Sequence, residues 1–382
     1  WHGIMTTERL INQSTRHGIY TQRFAGRLAN LFDPYLDRLI REFKLIMMDA
    51  PETTQSIRRI NQLVTQWRSA SLAIYGEYND NVLFAELEPF SHNESQWELD
   101  NLKSVVKSPS VALVAPAPVQ VWAAINAEPL IFPDSNGVKT LSSFIKDWEK
   151  AQIEVVGNIV RTGFLTGRTT GQIVHDIAGK NGYLTNQNRA SIKAMVRTST
   201  NHISNYARAE TLKENDDIVI GYQIIATLDG RTSTICRHHD NGRVYNKGLI
   251  IWADGTKVKT TSKPMPAFHP NCRTSIIAIL DERYAIDDSA ATRASKGVNG
   301  GQQVSATKFG YSWLKEQGGM GKAGLEFVQD VLGKERGSLL VNGGLSAKQF
   351  QKLTIDELFR PIPLDELRKK QSLQLAFGAI DG

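Results

Sequence analysis

The chain has 382 residues, 41% of them hydrophobic and 22% charged, with two cysteines and a net charge of +6 at pH 7. This apolar content suffices for two or three cores, which excludes a disordered chain. Two cysteines exclude a disulfide framework and fit folding in a reducing compartment, and no apolar run is long enough to span a membrane. Residues Trp1 to Arg9 lack the charged-then-apolar pattern of a secretory signal. Because the positive charge is spread rather than gathered into a run, it supports only weak, non-specific DNA contact.

Apolar residues recur at helical spacing from Phe24 through Leu28, Leu36, Leu39 and Phe43 to Leu45, with Pro34 marking a break or a start. A second amphipathic helix is predicted from Ile57 through Leu63 and Trp67 to Tyr75. Pro109, Pro116 and Pro118 then set a boundary that closes an N-terminal helical region, 1–118. A core domain follows over 119–285. It opens with a helix from Leu141 to Ile159, a stop and restart around Gly163, Gly167 and Gly171, and a helix from Arg189 to Lys213. A β-branched strand is expected over Ile218 to Thr227, a turn at Leu228 to Thr232, a hairpin pairing Leu249–Trp252 with Thr256–Lys259, and a last buried strand from Thr274 to Leu280. Residues 286–305, poor in large apolar side chains and carrying Gly297, Gly300 and Gly301, read as a flexible linker. A C-terminal helical extension, 306–382, offers Trp313, Leu314, Phe327, Leu332 and a helix near Leu353 to Leu358 as docking anchors. The fold class is α+β: helical at both ends, with a small mixed α/β knuckle domain and a short antiparallel sheet between.

Both cysteines and three of the eight histidines fall between Cys236 and Cys272, as Cys236-Arg237-His238-His239-Asp240 and His269-Pro270-Asn271-Cys272. Thiolate and imidazole are the preferred ligands of tetrahedral zinc. Cys236, His238 or His239, His269 and Cys272 therefore form a candidate metal set. The alternative is a metal-free knuckle held by Asp229, Arg231 and backbone hydrogen bonds, with solvated histidines. The same histidines loosely resemble the set of a metal-dependent His-Asn-His nuclease acting on DNA, but an apparent hairpin separates them and no clear helix carries His269. There is no Gly-x-Ser-x-Gly elbow, no phosphate-binding loop and no activated cysteine, and the expectation is a protein without enzymatic activity or other cofactors.

In sequence order, Arg197-Thr198, Thr227-Leu228-Asp229-Gly230-Arg231-Thr232, Cys236-Arg237 with Asp240 and Gly242, and His269-Pro270-Asn271-Cys272-Arg273 resemble the phage head morphogenesis proteins, the Mu F-type minor head proteins. The resemblance covers roughly Leu141 to Leu280. Trp313-Leu314 and Leu332-Gly333-Lys334-Glu335-Arg336 resemble the C-terminal extension of such proteins. It implies a minor capsid protein that binds portal protein, major capsid protein or scaffold and supports head assembly and DNA packaging, retention or delivery. Its place would be the portal vertex or capsid interior of the virion, and the host cytoplasm during assembly. The family pattern also makes Asp229, Arg231, Thr232, Asp240 and Arg273 structural residues, with Asp229 and Arg231 as an ion pair that fixes the turn; Arg273 is expected to pair with Asp229 or Asp240 inside the knuckle rather than with DNA phosphate. The chain departs from it where Ser233 and Thr274 stand at positions that relatives often fill with cysteine.

Overall fold

The computed structural model describes residues 8–106, 111–132, 138–284, 292–357 and 359–381. It opens with α1 (Glu8–Asn30) and α2 (Asp33–Met48), with Pro34 in the first turn of α2, where its missing N–H leaves no helical bond unmade. The apolar run from Phe24 to Leu45 is thus two helices meeting at a corner. Then come α3 (Ile57–Tyr78), capped by Ser56, α4 (Phe84–Lys103), α5 (Pro118–Ala127), α6 (Leu141–Leu165), α7 (Thr170–Ala178) and α8 (Arg189–Lys213). Their stripes close on one core running from Ala25 through Phe43, Trp67, Tyr75 and Phe90 to Ile153, Val196 and Ala207. Fully burying each such large side chain contributes about 1.5–3 kcal/mol.

The boundary expected at 118 does not separate two cores. Helices α3 and α4, before it, pack on α6 and α8, after it. The polar side chain of Asn215 also ties the two halves together, bonding Val114 through both its amide groups. Part of the proline-rich stretch, residues 107–110, lies outside the described residues.

The central unit holds β1 (Val219–Ile225), β2 (Leu228–Asp229), α9 (Thr234–His239), β3 (Arg243–Tyr245), β4 (Leu249–Ile251), β5 (Lys257–Lys259) and β6 (Ser275–Leu280). β1 is flanked by β3 and β6, both antiparallel, in a five-stranded sheet ordered β5-β4-β3-β1-β6. Its core gathers β1 and β6 with Leu10 and Ile11 of α1, Leu102 of α4, Cys236, Phe268 and Cys272. The first helix therefore belongs to this unit as much as to the helical one.

Residues 292–305 are not a linker. They form β7 (Thr292–Gly297) and β8 (Gly300–Ser305), an antiparallel hairpin that pairs in parallel with β2. A polar hairpin holds here because Arg293, fully buried, bonds the carbonyls of Ala226 and Lys308. The remainder of the expected linker, residues 285–291, lies outside the described residues.

The C-terminal unit comprises α10 (Gly310–Gly318), α11 (Gly321–Leu332), α12 (Lys334–Asn342), α13 (Ala347–Thr354), α14 (Leu364–Lys369) and α15 (Gln374–Asp381). Trp313 and Leu314 are buried, with Phe327 and Leu332 packed against the same core, so these side chains are not exposed anchors. The helix expected to reach Leu358 ends at Thr354, and Leu358 itself lies outside the described residues. The unit sits firmly on the knuckle. Leu228 joins its core, Gln351 donates to the carbonyl of His238, and Phe359 packs its ring against His238, His239 and Trp252. No helix among the described residues is long and apolar enough to cross a membrane.

Candidate metal centre

Three of the five candidate ligands converge. Cys236 lies in the first turns of the short helix α9, whose N-cap Ser233 accepts a bond from the Cys236 N–H. His269 and Cys272 come from the turn before β6, which Asn271 allows by adopting φ 62° and which Thr198 of α8 pins by accepting the Asn271 N–H at 3.0 Å. An asparagine tolerates this left-handed backbone better than most residues. The ligand atoms of Cys236, His269 and Cys272 all lie within 4.8 Å of one another.

Their geometry fits tetrahedral zinc. The Cys236 and Cys272 sulfurs are 3.7 Å apart, and zinc–sulfur bonds of about 2.3 Å imply a tetrahedral edge of about 3.8 Å. His269 Nδ1 lies 2.7 Å from the carbonyl of Pro270. Since only a protonated Nδ1 can bond a carbonyl, the neutral ring has Nε2 bare and aimed at the sulfurs, 3.0 Å from Cys236 Sγ. The hydroxyl of Ser233 lies 2.8 Å from the same Nε2 and donates to it. The group could hold a metal ion through three protein ligands, with the Ser233 hydroxyl nearest the fourth corner.

The electrostatics of the group are unequal. Burial pushes the Cys236 thiol well above its ordinary value, and the neighbouring Cys272 adds to that. Burial raises Cys272 too, but without an ion the bond from Cys236 and that from a His269 protonated on both nitrogens outweigh it and hold its thiol well below the ordinary range, so zinc would take the place of the Nε2 proton. One thiolate is thus favoured without any ion.

His238 and His239 do not join. On a helix, successive side chains are about 100° apart, so His238 projects from nearly the opposite face to Cys236. It stands beside Trp252 and Phe359, and His239 bonds the carbonyl of Ile235 through Nδ1 and stacks on Phe268 at 4.2 Å. Both are buried, not solvated, and burial pushes His238 down to about 4 and His239 to about 3.

Arg273 grips Asp229 with two nitrogens, at 2.6 and 2.7 Å, and Thr232 adds its hydroxyl to the same carboxylate. Burial raises Asp229, but the Arg273 bonds and charge prevail and hold it below the usual carboxylate range. Arg231 is not the close partner. Its guanidinium is exposed and 3.8 Å from Asp229, which instead accepts the Arg231 N–H in a local turn. Asp240 faces away from Arg273. It caps the Ala226 N–H at 2.8 Å and pairs with Arg293 at 3.1 Å, with both side chains buried. Gly242 follows because a Cβ there would come within 2.7 Å of the Trp252 ring.

Sequence reasoning missed a buried polar network next to this centre. Arg208 of α8 binds Glu98 of α4 at 2.7 Å, reaches Ser14 of α1 and donates to the Ile276 carbonyl of β6. Four residues earlier on each helix, Ser204 and Glu94 bond one another, and Glu94 also holds His17. The repeat of polar residues four apart on α4 and α8 was the available signal. Burial pushes the Glu98 carboxyl up against the pull of Arg208.

The buried histidines make the fold acid-sensitive. His202, buried beside Tyr206, is pushed down to about 4 by burial, and His239 to about 3. Their folded values lie below the unfolded value near 6.5, so the unfolded chain takes up protons first as pH falls. Stability is complete above about pH 6.5 and declines toward pH 4, by about 3 kcal/mol for each histidine. Urea unfolding at pH 7 and pH 4.5 should show this loss, and the His202→Gln, His239→Gln variant should show a flatter pH dependence, with the remainder belonging to His238, which burial also pushes down to about 4.

No protein family, curated protein or solved structure matches the chain.

Proposed function

We propose that this chain is a non-enzymatic minor component of a phage head, binding the portal or the adjacent capsid shell or scaffold and serving DNA packaging, retention or delivery. The observation that carries this reading is that the motif residues bind one another. Asp229, Thr232 and Arg273 form one clamp and Ser233, Cys236, His269 and Cys272 another, both between β2, α9 and the start of β6, while Asp240 is held by Arg293 of β7. Groups satisfied in this way build a rigid scaffold, whereas catalysis requires groups aimed at a substrate. A His-Asn-His nuclease needs its histidines around one metal, and here His238 and His239 are buried in an aromatic cluster apart from His269.

The metal belongs to the same reading. We propose zinc, held by Cys236, His269 and Cys272 with the Ser233 hydroxyl or water completing the shell, as a crosslink between α9 and the turn before β6. The docking surface must lie on the outside of the assembled units, because the apolar residues of the C-terminal unit are spent on its own core and on the knuckle. Incubation with supercoiled and linear DNA in the presence of Mg²⁺, Mn²⁺ or Zn²⁺ should leave both intact. Divalent-dependent cleavage lost in His269→Ala would replace this reading with the nuclease.

A further inference from the structure

Beneath α1 lie two adjoining cavities, of 280 and 170 Å³, that share Gly18, Gln22, Arg273 and Ser275 as walls and so form one groove. The walls of the larger part carry four arginines and two histidines and no carboxylate. Two of those arginines are neutralised, Arg208 by Glu98 and Arg273 by Asp229. The other two are not. Arg197 has no carboxylate partner among the described residues, and Arg231 is 3.8 Å from a carboxylate that Arg273 already holds in a two-bond grip. Thr200, in the same wall, is fully buried and its hydroxyl has no hydrogen-bond partner. At the other end, the smaller part adds Lys296 of β7.

We propose that this groove binds the phosphodiester backbone of a nucleic-acid strand, with Arg197 and Arg231 gripping one phosphate and Lys296 meeting another. Guanidinium groups match phosphate oxygens in pairs, and the unpartnered Thr200 hydroxyl supplies a donor that such an oxygen can satisfy. Unneutralised cations at both ends of one groove suit a chain of phosphates better than a single free anion. Because this claim rests on the charge of the walls, it does not depend on the capsid reading.

The test uses the full-length protein and a short fluorescent single-stranded oligonucleotide, with binding followed by anisotropy across a range of salt. Arg197→Gln with Arg231→Gln should weaken binding about tenfold and reduce the slope of log affinity against log salt by about 0.7, the release expected for one phosphate contact on a single strand. Lys296→Gln, which removes the other phosphate contact, should change the slope by a similar amount. Melting curves should be unchanged, because both arginines are exposed. A charge-matched control, Lys322→Gln with Lys348→Gln on α11 and α13, should bind as the parent does. Equal weakening in the control would assign the binding to diffuse surface charge and overturn the groove, as would undiminished binding by the arginine variant. Displacement of the oligonucleotide by inorganic phosphate or a mononucleotide at equal phosphate concentration would make this a pocket for free anions and overturn the strand.

Discussion

The purified protein is expected to carry one zinc ion per chain, and Cys236→Ser or Cys272→Ser to lose it. The two sulfurs already stand a tetrahedral edge apart, and the Pro270 carbonyl holds His269 in the tautomer that offers Nε2. Little reorganisation therefore opposes binding. At free zinc a thousandfold above its dissociation constant, the gain in stability is about 4 kcal/mol. The check is metal content by mass spectrometry together with denaturant unfolding before and after chelation. A metal-free protein with undiminished stability would leave this corner held by the hydrogen bonds among Ser233, His269 and the cysteines and by packing such as His239 on Phe268.

Arg293→Ala should be among the most damaging single substitutions outside that corner. It strands the fully buried carboxylate of Asp240 and frees the carbonyls of Ala226 and Lys308, all of which the guanidinium now serves. Removing one partner of a buried ion pair costs about 3–5 kcal/mol. Asp240→Asn in the same chain should recover part of the loss, because a neutral amide is cheaper to leave unpaired than a charge. Unfolding curves of the two variants decide this. A loss under about 1 kcal/mol for Arg293→Ala would mean that the hairpin of β7 and β8 is not fastened to the knuckle through this residue.

That hairpin also marks where the sequence stops being readable. Strands β1 and β6 and helices α3, α6 and α8 announce themselves, because one face or both are apolar and the spacing of Ile, Val, Leu and Trp carries the period. Thr292–Gly297 and Gly300–Ser305 have almost no apolar side chains to alternate. Their stability comes from pairing with β2 and from one arginine whose partner lies 53 residues away. Such distant polar bonds have no local signature. The boundary read at 118 failed for a related reason: prolines mark the end of a helix, but whether two helical groups share a core depends on faces that meet only in three dimensions.

Ligand chemistry exposed more of the candidate centre than periodicity did. Cys236, His269 and Cys272 were identifiable because thiol and imidazole clusters are rare in a chain with two cysteines. Nearness in sequence then misled: His238, two residues after Cys236, projects from the opposite face of the helix, and His239, on the same side as Cys236, is taken by the Ile235 carbonyl and the Phe268 ring. For the Asp229 clamp the sequence indicated an internal pairing of Arg273 with Asp229 or Asp240 but gave Asp229 to Arg231, its neighbour in the turn, whereas Arg273 holds it. For the Arg208–Glu98 pair the polar repeat on α4 and α8 could flag two polar faces but not which residues meet, since the two members lie 110 residues apart.

The most direct test of the proposed role is the protein composition of purified phage particles from the genome that encodes this chain, measured by quantitative mass spectrometry. The account predicts the chain in DNA-filled heads at a copy number far below that of the major capsid protein. Its absence from particles, with the chain recovered only among the soluble proteins of the infected cell, would contradict the account.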